Sequence, residues 1–134
     1  MKLIWLTLLI AYCALIYKLS AQPTLPVPGL FLHQDKLIHA VAYAIMGLLS
    51  FNYCRYIFST LGATAVASLV FCTLYGISDE WHQAFVPGRD ASLLDVLADI
   101  AGAGLAIQIS RHFQTAKAAT LSVKSRPQNT RYKS

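Results

Sequence analysis

What this sequence lacks most is charge. Asp, Glu, Lys and Arg make up 13% of its 134 residues, against roughly 25% in an ordinary soluble domain, and only six of them are acidic. A chain this poor in charge, 56% hydrophobic and with a mean hydropathy of +0.51, does not read as a soluble globule. Cysteine is scarce as well. Cys13, Cys54 and Cys72 are an odd number with neither CxxC nor CxxxC spacing, so they read as buried small apolar residues and not as a disulfide or metal set. No internal repeat is present. Nothing in the charge pattern suggests nucleic-acid recognition.

What is present is a set of apolar runs long enough to cross a bilayer, which takes about 20 residues each. The sequence predicts an all-α integral membrane bundle of four transmembrane helices in one domain, residues 1–110, followed by a disordered basic tail, 111–134. Leu3 to Tyr17 is flanked by Lys2 and Lys18. It has the length of a signal-peptide core, but Leu19 spoils the small-residue pattern before a cut after Ala21, so an uncleaved first span is expected. Gln22 to Gln34, with Pro23, Pro26, Pro28 and Gly29, cannot be helical. Its Leu25, Val27, Leu30, Phe31 and Leu32 suit a segment lying on the bilayer or over the bundle mouth.

The second span opens with Asp35 as N-cap and runs to about Tyr53. A turn containing Asn52, Arg55 and Ser59 leads to a third span from Thr60 to Ile77, extended through Glu80 and Gln83. Small residues in its first half, Gly62, Ala63, Ala65, Ala67 and Ser68, are expected to admit a neighbouring helix. Val86-Pro87-Gly88-Arg89 is a type II turn sequence. Asp90 or Ser92 then caps a fourth span, Leu93 to Ile109. Arg111 to Ser134 carries six basic residues and no acid.

The acids that do occur are concentrated. Five of the six lie between Ser78 and Gly104: Asp79, Glu80, Asp90, Asp95 and Asp99. Asp95 and Asp99 stand four apart, on one face of a helix, within an apolar segment. An aspartate at the centre of a membrane helix costs about 2.5–3.5 kcal/mol, so such residues are functional candidates. Asp35, His39, Tyr43 and Gly47 form a second stripe, with Lys36 beside it.

Orientation follows from lysine and arginine. With the N-terminus inside, Lys2, Arg55 and the six basic residues of the tail face the cytoplasm, against Lys18, Lys36 and Arg89 outside, eight to three. The expected location is the inner (plasma) membrane, multi-pass, with both termini cytoplasmic and the basic tail beside an anionic leaflet. The starts of spans two and four and the end of span three then share the extracytoplasmic boundary. A polar cavity open to the outside is expected there, with Tyr43 and Asp99 roughly 12 Å below the helix starts.

In order and spacing, Asp35-Lys36-x-x-His39-x-x-x-Tyr43, Ser78-Asp79-Glu80-x-x-Gln83-x-Phe85-x-Pro87-Gly88-Arg89 and Asp95-x-x-x-Asp99-x-x-Gly102 resemble the VanZ-like membrane protein family, over about residues 33 to 106. The resemblance implies a small multi-span protein tied to the cell envelope, since the family's founding member is associated with teicoplanin resistance. It supplies no reaction or catalytic residues. The position of Asp99 often carries asparagine in that family.

The expected ligand-binding residues are Asp35, Lys36, His39, Tyr43, Ser78, Asp79, Glu80, Gln83, Arg89, Asp95 and Asp99. In the favoured reading they bind an envelope lipid or a lipid-linked ligand, with Lys36 and Arg89 on its anionic group. The alternative is a membrane hydrolase or transferase in which His39 acts as general base or metal ligand beside Asp79, Glu80, Asp95 or Asp99. Enzymatic activity is therefore left open. DEWHQ lacks the paired histidines of a helical zinc-protease motif, so no metal set and no cofactor is assigned. Membrane lipids are the expected partners, and oligomeric state is left open. Proton relay through Asp99, Tyr43 and His39 is disfavoured, because the cytoplasmic halves of the spans lack ionisable residues. Blander roles stand beside these: Arg89 in an ion pair with Asp95 or Asp79, His39 and Tyr43 as hydrogen-bonded packing residues, His33 and His82 as interfacial residues, and Gly102 and Gly104 as packing residues.

Overall fold

A computed structural model describes residues 1–23 and 33–124. It contains four α-helices: α1 (Lys2–Ser20), α2 (Gln34–Cys54), α3 (Leu61–Gln83) and α4 (Leu93–Lys124). All four are long and apolar enough to cross a membrane. At about 1.5 Å per residue, α1 to α3 are roughly 29 to 35 Å long, matching a hydrocarbon core of about 30 Å. Their exteriors are apolar, with Leu3, Ile4, Val66, Leu74 and Leu105 exposed, while polar residues such as Thr64, Ser68, Asp79, Glu80 and Asp99 are buried. That inside-out arrangement suits lipid as the solvent. The buried hydroxyls of Thr64 and Ser68 bond back to their own helix, that of Ser68 donating to the Thr64 carbonyl at 2.8 Å, which meets them without water.

The tightest packing is between α2 and α4. A Cβ on Gly102 would lie 1.9 Å from the Ala40 carbonyl oxygen, and one on Gly47 would lie 2.9 Å from that of Ala103, so the two backbones touch where neither glycine has a side chain. The sequence expectation placed close approach on the first half of α3, and it fails at the helix start, where Gly62 has nothing within 4 Å and Ala63 is exposed, while Ala65 packs against the core and Ser68 is fully buried. Gly104 also differs from its neighbour Gly102, since its nearest contact is Leu69 at 3.9 Å. Helix α1 is the outermost element and is tied in by hydroxyls: Tyr12 donates to the Ala42 carbonyl at 3.0 Å, and Tyr75 to the Cys13 carbonyl at 2.6 Å.

Two helix limits differ from expectation. The N-cap of α2 is His33, in a left-handed conformation with φ 62°, and Asp35 lies inside the first turn, where a carboxylate favours the positive end of the helix dipole. Helix α4 does not stop at Ile109 but continues to Lys124. At about 48 Å it outruns the hydrocarbon core, and its last residues, from Arg111, are almost all exposed. That part of the expected disordered tail is therefore helical. Residues 125–134 lie outside the described residues, as do the apolar residues of the 24–32 connection expected to cover the mouth. As expected, α3 continues through Glu80 to Gln83. Thr60, expected as its first residue, is instead its N-cap, with the side-chain oxygen accepting from the Ala63 N–H at 3.1 Å.

Candidate functional site

The start of α2, the end of α3 and the start of α4 lie at one end of the bundle. The turn joining α3 to α4 closes there: Arg89 N–H donates to the Val86 carbonyl at 3.1 Å, and Gly88 takes φ 85°, a left-handed value that the third position of a type II turn requires. Three polar groupings result.

At the rim, Lys36 Nζ donates to Asp35 Oδ2 at 2.6 Å and lies 2.7 Å from Asp95 Oδ1, the latter a charge contact without hydrogen-bond alignment. Asp95 is buried and Asp35 is exposed, so Lys36 bridges the surface and the interior. Deeper, His39 Nδ1 stands 3.0 Å from Asp99 Oδ1 and 3.9 Å from Glu80 Oε1. Asp99 is completely buried. It fits because Gly76 has no side chain: a Cβ there would lie 2.9 Å from Asp99 Oδ2. The other oxygen of Glu80, Oε2, accepts from the Ser92 N–H at 2.8 Å, which fastens α3 to the first residue before α4. On the third side, Gln83 Nε2 donates to Asp79 Oδ2 at 3.1 Å, and Gln83 Oε1 accepts twice from Arg89, from Nε at 3.0 Å and Nη2 at 2.6 Å.

These contacts correct two expectations. Arg89 pairs with neither Asp95 nor Asp79 and makes no ion pair among the described residues. The turn folds its guanidinium back over Gln83, six residues earlier, while Lys36 on the tightly packed α2 reaches Asp95. Ser78 is exposed and its hydroxyl donates to the Tyr75 carbonyl at 2.8 Å, so it does not join the cluster. The other expected residues gather at this end, Asp35 only at the rim. Tyr43 is buried, and its hydroxyl has no hydrogen-bond partner among the described residues.

A cavity of about 70 Å³ opens beside the cluster. His39, Tyr43, Asp79, Gln83 and Arg89 line it together with Ile16 and Leu19 of α1 and Ile38 and Ala42 of α2, and the surface it presents is mostly apolar. The share of α1, including Ser20, was missed by sequence reading. Nothing in an unbroken apolar run distinguishes a lipid-facing leucine from one facing a cavity. Ser92 was read only as a cap, because a backbone N–H leaves no trace in residue identity. His82, expected only as an interfacial residue, fastens α1 to α3: its Nδ1 is 3.4 Å from Ser20 Oγ and its ring stacks, tilted, on Tyr17 at 4.7 Å. A larger apolar cleft of about 400 Å³ lies near the other end, lined by Leu6, Leu9, Ile10 and Phe71 among others, and touches none of the carboxylates.

Compared with known proteins, the chain is matched over residues 3–114 by the family VanZ/LLP1. That span takes in α1 from its second residue on, all of α2 and α3 and most of α4. No curated protein and no solved structure matches it.

Proposed function

Given that this chain belongs to the VanZ/LLP1 family, and that its four apolar helices make it a multi-pass membrane protein, we propose that it recognises the anionic group of an envelope lipid or lipid-linked ligand. The observation that carries this reading is Arg89, a half-buried guanidinium held in place by a neutral amide, in the lining of a cavity whose surface is mostly apolar. Gln83 orients the fork without neutralising it, which leaves its charge for a phosphate or carboxylate. About 70 Å³ holds one such group, not a whole headgroup. The remainder of the ligand then stays at the mouth, with its chain along the apolar side of α1. The pocket faces outward in this reading, with both termini in the cytoplasm of an inner-membrane protein, as the excess of basic residues at the terminal side favours. An envelope ligand is in keeping with the teicoplanin association of the family's founding member.

The test is the lipid content of purified protein by mass spectrometry. Arg89→Gln is expected to remove most of the co-purifying anionic amphiphile while gel filtration and helicity stay unchanged. Undiminished amphiphile in that variant counts against the reading. A second reading, a hydrolase or transferase, is favoured by the His39–Asp99 contact, since a base held by a carboxylate is the arrangement acid–base chemistry uses. It requires that vesicles of envelope lipid yield a product with wild-type protein and none with His39→Gln. No product in either case removes it.

A further inference from the structure

His39, Glu80 and Asp95 come from three different helices, yet one donor atom of each lies within 4.8 Å of the other two. All three are more than nine-tenths buried. Glu80 Oε1 accepts no hydrogen bond among the described residues, although its partner oxygen is fixed by the Ser92 N–H, so the free oxygen is held in position on the His39 side. Buried carboxylate oxygens are seldom left without a donor, and one that is calls for an ion or water. Asp99 supplies the complementary feature. Its Oδ1 sits 3.0 Å from His39 Nδ1, and a carboxylate on one ring nitrogen is how metal-binding imidazoles are oriented, leaving Nε2 to bind. Four carboxylates are buried at this end, Asp79, Glu80, Asp95 and Asp99, and of these only Asp95 is paired with the ammonium of Lys36, which Asp35 shares. Burial penalises that imbalance, and a cation offsets it.

We propose that His39, Glu80 and Asp95 form a divalent-cation site, with Asp99 as the positioning residue for His39. One imidazole and two carboxylates suit a borderline ion of the Zn²⁺ or Mn²⁺ type better than Ca²⁺, which takes oxygen ligands alone. Donors bonded to such an ion at about 2.0–2.2 Å stand roughly 3–4 Å apart. One donor atom each of His39, Glu80 and Asp95 lies within 4.8 Å of the other two, already near that scale. Lys36 stands 2.7 Å from Oδ1 of Asp95, and a carboxylate with two oxygens can serve the ammonium and an ion together. The site does not rest on the ligand reading, since Arg89 takes no part in it. His39 belongs to both, which places the ion beside the cavity.

The experiment uses the full chain in detergent, stripped with chelator, equilibrated with Zn²⁺ or Mn²⁺ and passed through gel filtration. Elemental analysis is expected to find about one ion per chain. Glu80→Gln keeps an acceptor for the Ser92 N–H and is expected to reduce the bound ion at least tenfold. Asp99→Asn weakens binding by roughly 10–100-fold, as loss of an orienting carboxylate does, and His82→Gln changes nothing. Wild-type protein that retains no ion overturns the proposal, whatever the variants do. So does an ion retained equally by Glu80→Gln, which marks it as adventitious. Lipid read by mass spectrometry on the same wild-type and Arg89→Gln samples keeps the outcome separate from that of the ligand reading.

Discussion

Lys36 and Asp95 carry opposite charges 2.7 Å apart near one end of the bundle, with side chains 23% and 8% exposed. Removing one partner of a fully buried pair costs about 3–5 kcal/mol; because Lys36 reaches solvent, the expected cost of Lys36→Met is nearer ~2 kcal/mol after screening. Adding Asp95→Asn removes the orphan charge and is expected to recover most of the loss. Thermal unfolding of the two single variants and the double variant measures that coupling. Equal stability in all of them would mean that the contact is structurally idle. Asp99 is the companion case. Asp99→Asn keeps an oxygen for His39 Nδ1–H and is expected to fold close to normally, in line with the asparagine common at this position among VanZ-like proteins. Asp99→Leu strands the imidazole in a buried place and is expected to cost about 1–3 kcal/mol. Unfolding midpoints that do not separate the two variants would deny the hydrogen bond any weight.

At the scale of the helices, two glycines two residues apart on α4 have opposite prospects. Gly102→Ala forces a methyl into the Ala40 carbonyl, which only separation of α2 and α4 can relieve; overpacking of that kind typically costs about 1–3 kcal/mol or more. Gly104→Ala meets nothing closer than 3.9 Å and gains helix propensity, so it is expected to be neutral or stabilising by up to about 1 kcal/mol. Melting temperatures that fall equally for both would show that the helix crossing is not where the structure puts it.

Sequence reading groups Gly102 and Gly104 together, which shows the limit of what is legible. Periodicity of four along α2 and α4 brings His39 and Asp99 to facing stripes, and the structure pairs them. Register between helices is another matter. A shift of one turn would exchange the partner of Asp95, so Arg89 was as reasonable an expectation as Lys36 until the turn geometry was known. The end of α4 escaped for a different reason. Hydropathy ends at Ile109, but Gln114, Ala116, Lys117, Ala118 and Ala119 are good helix formers, and a helix already nucleated in the bundle continues through them.

For the molecule as a whole, four spans place both termini on one membrane side and the carboxylate cluster on the other. The expected side for the termini is the cytoplasm. Arg111, Lys117 and Lys124 lie on the part of α4 that outruns the bilayer, and basic residues near span ends are retained inside. The turn at Pro87–Arg89 then faces outward. Single cysteines test this in a chain whose own Cys13, Cys54 and Cys72 are replaced by alanine. Asp90→Cys, exposed beside the turn, is expected to react with a membrane-impermeant maleimide on intact cells, and Lys117→Cys, exposed on α4, only after permeabilisation. The reverse pattern would open the cavity to the cytoplasm. An outer-leaflet ligand could then no longer reach Arg89, and the envelope reading would fail, while the helix packing and the cation site would stand untouched, because neither depends on which side the pocket faces.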